Sequence, residues 1–422
     1  MKWIALFGIL FVFGVELTVE TIDEEPTVTF SEKKVISSTI DGAWSVFIAD
    51  LDNDGFEDVL TTGTNSGVIA WHRNLGDSSF SDTIIISDTF PGAVSVYASD
   101  LDNDGWKDIL SLSSFNDTIG WFLNNGDGTF TAQDPVSVSS DSVFCVYAAD
   151  IDGDGFNDIL SASQEDDSIR VFYNDLAGSF EEPLIVDSSV IEANGVTVSD
   201  LDHDGDLDIL TSSYGDDSIR LYINNNDRTF SAQTPISTTL NGAITVYASD
   251  LNNDGWDDVL ATGLADNSVL WYENNKDLTF TEHPPISTDI RGPNSVKTGD
   301  FDKDGFEDVL VAGYLDDSIW WFHNEGNGSF VEMPKISHTS NGAKNAVVGD
   351  LNNDGYLDVI VASCYDDTLS WFENLYELAE DEEDVIDEEE TIDSVYIFSF
   401  IGIGLSLATG FTLIYLLKRR QS

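Results

Sequence analysis

The 422-residue sequence predicts an all-β protein, a seven-bladed β-propeller, and three observations support this prediction. A nine-residue acidic motif recurs seven times at a constant spacing of 50 residues, with the first copy at Asp50 and the last at Asp350. Short β-rich runs separated by clusters of Gly, Asn, Asp and Ser lie between the copies. One strand-like segment precedes the first unit, whereas the seventh unit ends early. A fixed period of this size with several short strands per unit is typical of propeller blades.

Each unit contains four strand-like runs, which we name A to D in chain order. In the first unit they cover residues 44–49, 58–62, 68–73 and 81–87, and turn residues separate them. Four antiparallel strands make one propeller blade. Two further kinds of residue keep the phase of the repeat: Phe30, Phe80, Phe130, Phe180, Phe230, Phe280 and Phe330, and Asn74, Asn124, Asn174, Asn224, Asn274, Asn324 and Asn374.

The two ends of the repeat array favour a closed ring over an open solenoid. Residues 29–37 form an extra segment of the D type, with Phe30 in the correct phase. The seventh unit breaks off after Asn374, where its own D strand is due. The N-terminal segment can therefore supply the missing strand, whereas a solenoid requires polar capping repeats instead.

Composition excludes several classes of protein. The chain has 17 Lys+Arg against 78 Asp+Glu, a formal charge of −61, which repels a phosphate backbone and excludes nucleic acid as a partner. A hydrophobic content of 41% is sufficient for a packed core. The two cysteines, Cys145 and Cys364, fall in distant units, so we predict no disulfide between them.

Both ends of the chain are apolar. The run at 3–15 follows one lysine and predicts a signal peptide over 1–18. The uncharged apolar run near the other end predicts a transmembrane helix over 394–417, although a buried core helix is the alternative. Lys418, Arg419 and Arg420 place the tail, 418–422, on the cytoplasmic side. The sequence thus predicts a cell-surface, single-pass protein whose propeller, 27–376, stands outside the membrane on an acidic stalk, 377–393.

The repeated motif D-x-D-x-D-G-x-x-D carries the metal prediction. In the first copy Asp50, Asp52 and Asp54 alternate, Gly55 permits a sharp turn, and Asp58 returns from the next strand. Ca²⁺ takes 6–8 oxygen ligands in flexible loops, whereas a single histidine (His203) in the seven loops disfavours zinc. The alternative is that these segments are only hairpin turns. Crowded carboxylates repel one another without a cation, so seven copies in register favour up to seven structural Ca²⁺ ions.

The predicted ligands are side-chain oxygens at motif positions 1, 3, 5 and 9 and the backbone carbonyl at position 7. In chain order they are Asp50, Asp52, Asp54, Phe56, Asp58, Asp100, Asp102, Asp104, Trp106, Asp108, Asp150, Asp152, Asp154, Phe156, Asp158, Asp200, Asp202, Asp204, Asp206, Asp208, Asp250, Asn252, Asp254, Trp256, Asp258, Asp300, Asp302, Asp304, Phe306, Asp308, Asp350, Asn352, Asp354, Tyr356 and Asp358. The two asparagines supply a neutral oxygen and predict weaker sites.

These seven repeats resemble the FG-GAP / VCBS repeat family, and their loops resemble the calcium loops of integrin alpha-subunit propellers. The resemblance covers about Thr29 to Asn374. It implies a propeller whose calcium loops join strands A and B. It also implies adhesion, carbohydrate binding or protein–protein contact, although the family includes domains attached to polysaccharide-degrading enzymes.

Two places could hold a ligand. The B–C turns carry acidic pairs such as Asp166-Asp167, which could bind polyols or cations, although solvated turn residues are the preferred interpretation. Six polar or basic residues depart from the repeat near the start of strand A, and unit-to-unit drift explains them equally well: Asn194, Arg291, Asn294, Lys297, Lys344 and Asn345.

Three other kinds of residue have a structural and a functional interpretation. The strand-C tryptophans could stack on sugars, but we expect core packing for most: Trp71, Trp121, Trp271, Trp321 and Trp371. Asn116 and Asn327 are glycosylation sequons in predicted turns. The five histidines occupy different phases of the repeat and suggest no catalytic site.

The preferred function is that of a calcium-binding, membrane-anchored extracellular propeller for adhesion or for recognition of a glycan or protein ligand. Two alternatives remain: a polysaccharide lyase or hydrolase acting on the propeller face, and a passive surface-coat protein without a saturable ligand.

Overall fold

The computed structural model describes residues 5–7, 28–137, 142–174, 178–376, 395–400 and 411–417. Residues 28–376 form one compact unit, and the described residues of the two chain ends belong to a second. The large unit consists of seven four-stranded antiparallel sheets, and no helix occurs in its described residues. The predicted all-β seven-bladed propeller is confirmed.

Strands A to D follow one another in every blade. For blades one to three they are Ala43–Ala49, Asp58–Gly63, Val68–His72 and Ile84–Ser87; Ala93–Ser99, Asp108–Ser113, Thr118–Asn124 and Phe130–Ala132; and Val143–Ala149, Asp158–Ser163, Ser168–Phe172 and Leu184–Asp187. For blades four and five they are Ala193–Ser199, Asp208–Ser213, Ser218–Asn224 and Phe230–Ala232; and Ala243–Ser249, Asp258–Gly263, Ser268–Asn274 and Phe280–Glu282. Blade six comprises Pro293–Gly299, Asp308–Gly313, Ser318–Asn324 and Phe330–Glu332, and blade seven contributes Ala343–Gly349, Asp358–Ser363 and Thr368–Phe372.

The N-terminal segment closes the ring. Lys34–Ser37 is the outer strand of blade seven and pairs antiparallel with Thr368–Phe372. An isolated bridge between Phe30 and Asn374 extends this pairing. Blade seven therefore joins both ends of the repeat array, as the phase of Phe30 predicts.

The core lies between the blades. Every residue of strand B is buried in all seven blades, so this strand packs on both faces. The strand-C tryptophan of one blade meets the recurring phenylalanine of the next blade edge-to-face, with 5.8 Å between the ring centroids of Trp71 and Phe130. The five tryptophans are 2–6% exposed, which confirms the expectation of core packing.

Turn chemistry explains why the repeat keeps its small and polar residues. Gly67 in the first B–C turn has a φ of 68°, and Asp167 at the same place in blade three has a φ of 55°. Left-handed backbone of this kind favours Gly, Asn and Asp. The same four-residue turn between strands B and C therefore recurs with only these residue types at its last position.

The second unit contains Ala5–Phe7, Val395–Phe400 and Phe411–Leu417, which form a three-stranded antiparallel sheet. The helix predicted over 394–417 therefore does not appear in the residues that the structure describes there. In the described part of the chain, no helix has the length and apolar character needed to cross a membrane. The predicted stalk (377–393), the tail (418–422) and most of the signal peptide (1–18) lie outside the described residues.

Candidate metal loops and central channel

The seven A–B loops share one hydrogen-bonded fold, for which loop two is representative. Asp100 at position 1 accepts N–H bonds from Asp104 (3.1 Å) and Gly105 (2.9 Å), and Asp104 accepts one from Trp106 (2.8 Å). Gly105 has a φ of 92°, a conformation that L side chains rarely adopt. These bonds curl the loop so that its carboxylates turn inward. Each predicted residue at positions 1, 5 and 7 takes part in them.

Carboxylates at positions 1, 3 and 9 converge. In loops one to four, one oxygen from each of these three aspartates lies within 4.8 Å of the others. The triads are Asp50, Asp52 and Asp58; Asp100, Asp102 and Asp108; Asp150, Asp152 and Asp158; and Asp200, Asp202 and Asp208. In these four loops the structure brings together three of the five predicted ligands, and the assignment of the full set to a metal stays a prediction.

The aspartate at position 9 is fully buried in every loop. Asp108 Oδ2 accepts the Leu101 N–H (3.0 Å), and its Oδ1 accepts the Asn124 N–H (2.8 Å). Burial nevertheless raises the pKa of Asp108 to about 7 and that of Asp308 to about 8. A buried carboxylate of this kind gains most from a cation beside it. The members of this set are Asp58, Asp108, Asp158, Asp208, Asp258, Asp308 and Asp358.

The recurring asparagine clamps neighbouring loops together. Asn124 Nδ2 donates to Leu51 O of loop one (2.9 Å) and to Lys107 O of its own loop (3.0 Å). Asn74 makes the same bond to Leu351 O of loop seven (2.7 Å), which closes the circle. The sequence marks these asparagines by their phase, but their cross-blade role requires the folded ring.

The residue that precedes this asparagine, at the end of strand C, differs from blade to blade and reaches the metal loop in blades one, six and seven. In loop one it is Arg73, whose guanidinium pairs with Asp52 Oδ2 and lies 2.9 Å from Asp54 Oδ2. In loop seven it is Glu373, whose Oε1 accepts the side-chain amide of Asn352 (3.0 Å). Sequence reasoning missed both, although their position one residue before the marker asparagine was visible.

Loop six receives a histidine at the same position. His323 Nδ1 lies 3.1 Å from Asp302 Oδ2 and 3.3 Å from Asp308 Oδ1. His203 is the single histidine within the seven nine-residue motifs, and the strand Ser318–Asn324 brings a second imidazole, that of His323, to loop six. His203 itself stacks on Trp256 of loop five, with 3.8 Å between ring centroids.

The donor set fits a hard divalent cation. Carboxylate and amide oxygens dominate all seven loops, which is the chemistry that Ca²⁺ prefers. Asn252 and Asn352 keep the fold of their loops, because each Oδ1 accepts the N–H of position 5 at 2.9 and 3.0 Å. In loops one to four a bound cation would be held by the aspartates at positions 1, 3 and 9 and would neutralise the buried one.

Five of the six candidate ligand residues line one cavity, and the sixth lies outside it. Asn194, Asn294, Lys297, Lys344 and Asn345 line a cavity of about 250 Å³ formed by strand A of all seven blades. Arg291 is exposed in the turn before strand A and does not line it. The cavity therefore lies on the central channel.

Aromatic rings that the sequence did not single out line the same cavity. Phe47, Tyr97 and Tyr147 follow one another around the channel, with centroid separations of 4.5 and 5.0 Å. Tyr247 continues the row and also lines a second cavity, of about 500 Å³, at the A–B loop end. That second cavity carries carboxylates, Asp257 and Glu307 among them.

The acidic pairs of the B–C turns have structural partners. Asp217 Oδ1 accepts the Gly242 N–H of the next blade (2.8 Å), and Asp216 pairs with Arg220. The glycosylation candidates, Asn116 and Asn327, are exposed in a B–C and a C–D turn. Cys145 and Cys364 are free thiols.

Comparison with known proteins agrees with this geometry. Two solved structures with the same fold are virginiamycin B lyase from Staphylococcus aureus (12% identity, TM-score 0.56, covering 82% of this chain and 99% of the lyase) and an Agrocybe aegerita lectin that recognises non-reducing terminal N-acetylglucosamine (18%, 0.54, 89% and 96%). At such identities the likeness shows the fold alone. No curated protein sequence matches the chain. The FG-GAP-like repeat model matches six overlapping segments: residues 50–111, 100–161, 150–211, 200–261, 250–311 and 300–361. The chain belongs to the FG-GAP-like repeat family.

Proposed function

We propose that this protein is a calcium-binding, membrane-anchored extracellular propeller that recognises a glycan or protein ligand. The observation that carries the proposal is the convergence of three aspartates in one loop fold, with the position-9 carboxylate fully buried in every blade. Outside loop six, where His323 Nδ1 lies 3.3 Å from Asp308 Oδ1, no basic side chain of the described residues lies within 4 Å of this carboxylate, so a bound cation would supply the missing positive charge. The sequence supports the anchor through its apolar run before Lys418.

Calcium would act as structural support in place of disulfides. At a free Ca²⁺ concentration about tenfold above Kd, each site adds roughly 1.4 kcal/mol to the stability of the folded chain. Several such sites together approach the net stability of an ordinary domain, about 5–15 kcal/mol. The ring therefore depends on the ion for its rigidity, and a rigid ring holds the channel residues in place for a ligand.

Thermal unfolding of the full chain with added Ca²⁺ and with excess chelator tests the proposal. We expect a large, saturable rise in Tm and several ions per chain by elemental analysis. Asp102→Ala should remove about one ion, because it deletes one converging ligand of loop two. Asp127→Ala is the matched control, since Asp127 lies in an exposed turn and accepts only from Thr129. Absence of both the shift and the ions refutes calcium binding.

A further inference from the structure

Two lysines in the channel lack a counterion. Among the described residues, neither Lys297 nor Lys344 has a carboxylate within 4 Å, although the chain carries 78 Asp+Glu. Other lysines do have such partners: Lys33, Lys34, Lys276 and Lys335. Burying a charge without a partner is costly. These two lysines therefore need an explanation beyond folding.

Lys344 is held in place by neutral groups. The residue is 9% exposed, and its Nζ lies 4.1 Å from the ring centroid of Trp44 and 3.9 Å from that of Tyr314. It also donates to Asn294 Oδ1 (3.2 Å). Cation–π contacts and one amide orient the ammonium group but do not neutralise it.

Lys297 lines the same channel from blade six, three positions further along strand A than Lys344 in blade seven. Its Nζ lies 4.4 Å from the ring centroid of Tyr247. Cys145, a free thiol, lines the same cavity. Burial lowers the pKa of both lysines, to about 8 for Lys344, so the surroundings disfavour the charged forms that an anion would restore.

We propose that the central cavity binds the carboxylate of an acidic sugar, with Lys344 and Lys297 as its counterions. This inference rests on the proposed function, since it names the ligand class of that propeller. The side-chain amide of Asn194 lines the cavity and can bond a sugar hydroxyl, whereas the amides of Asn294 and Asn345 line it while bonded to the protein. Phe47, Tyr97 and Tyr147 line the same cavity and add apolar surface against which a pyranose ring can pack. Cations, an amide and aromatic surface in one cavity match a uronic acid better than a neutral sugar or a simple anion.

The two ends of the channel differ in charge, and this difference favours entry of an anionic ligand from one side. Asp257 and Glu307 line the cavity at the A–B loop end, where the metal loops add further negative charge. Lys344 lies near the start of strand A, at the opposite end of the channel. An anionic ligand therefore enters from the side of the B–C turns.

Calorimetric titration of the Ca²⁺-loaded full chain with D-glucuronate, and with D-glucose as the neutral probe, tests the proposal. We expect saturable binding of glucuronate and at least about tenfold weaker binding of glucose, because a buried charge would be left unpaired. Lys344→Met should weaken glucuronate binding at least about tenfold and raise Tm without ligand, because it removes an uncompensated buried charge. Lys335→Met is the matched control: Lys335 stacks on Trp320 at 3.4 Å, outside the cavity, and its loss should leave binding unchanged.

Three results would overturn the inference: equal affinity for the two sugars, no saturable binding of either, or unchanged glucuronate affinity in Lys344→Met. A fall in Tm for Lys344→Met would do so as well, because it would make the lysine a structural support. The Ca²⁺-dependent shift in Tm is measured on the same samples. Failure of the ligand inference is thus separable from failure of the calcium proposal.

Discussion

Arg73 gives loop one a cation of its own, and this makes a specific prediction about calcium stoichiometry. Its guanidinium contacts Asp52 and Asp54, two predicted ligands, in place of the apolar residue that loop two has there, Leu123. The Oδ1 atom of Asp52 is buried without a hydrogen-bond partner. In loop two the equivalent oxygen, Asp102 Oδ1, accepts the N–H of position 5 (3.2 Å). The arginine has therefore turned one carboxylate of loop one away from the arrangement of the other loops.

The size of the effect follows from the geometry. The guanidinium lies 2.9 Å from Asp54 Oδ2, and Ca²⁺ binds oxygens at roughly 2.3–2.6 Å, so the two positive charges would be about 5 Å apart. With Arg73 about 44% exposed, an effective dielectric of roughly 40–80 gives about 2–3 kcal/mol of repulsion. We expect loop one to bind Ca²⁺ roughly 30- to 150-fold more weakly than loop two.

Equilibrium dialysis followed by elemental analysis measures the number of ions per chain at a fixed free Ca²⁺ concentration. Arg73→Leu should raise that number by one at concentrations that fill loop two. Leu123→Arg is the matched reverse change and should lower it by one. An unchanged number in both variants refutes the reasoning, because it would mean that the guanidinium swings away at no cost when the ion binds.

Three further predictions concern stability. His72 is fully buried with neither ring nitrogen hydrogen-bonded, where the other blades have Phe or Tyr, so His72→Phe should raise unfolding free energy by about 1–3 kcal/mol in denaturant titration. The pKa of His72 is lowered to about 4, so the contribution of this residue to stability falls as pH drops from about 6.5 towards 4. The variant should lack that contribution, and an identical pH dependence of stability in variant and wild type counts against the prediction. The position-9 aspartates make stability depend on pH in the opposite direction. Their pKa values are raised to about 7, so the chelated protein should lose stability as pH rises from about 4 to 7, whereas Ca²⁺ should reverse this trend in Tm. Finally, Asn53 Nδ2 donates to Gly105 O of the next loop (3.3 Å), whereas Gly153 at the same place in loop three has no side chain for this bond. Gly153 has a φ of 73° and open space at its Cβ position, so an asparagine can be accommodated there. Gly153→Asn should therefore raise Tm slightly, and Asn103→Gly should lower it.

The sequence was sufficient for the features that every blade repeats. The four strands per blade, the position of Phe30 in the closing blade and the burial of the strand-C tryptophans all follow from periodicity. Packing between neighbouring blades requires each of these features, so each recurs in the sequence at the period of the repeat. The convergence of positions 1, 3 and 9 in the loops belongs to the same class.

Contacts that depend on long-range placement could not be read from the chain. Arg73 and His323 reach their loops from strand C, about 20 residues after the aspartates that they contact. Their side chains belong to unrelated residue types, so no repeat of composition marks them. The apolar run at 394–417 illustrates a different limit: hydropathy predicts a helix, while the described residues at both ends of this run are strands.

A repeat protein separates the residues that make the fold from those that adapt it to a task. A residue that the ring needs must recur, because every blade meets the same neighbours; Asn124 and its six equivalents show this by making the same cross-blade bond. A residue that occurs in one blade and costs stability there cannot be retained for the ring. Lys344 fits this description, because the same strand position is Trp44 in blade one and Ile244 in blade five, neither of which carries a charge. The departures from the period, rather than the period itself, are therefore where the ligand chemistry of this propeller should be sought.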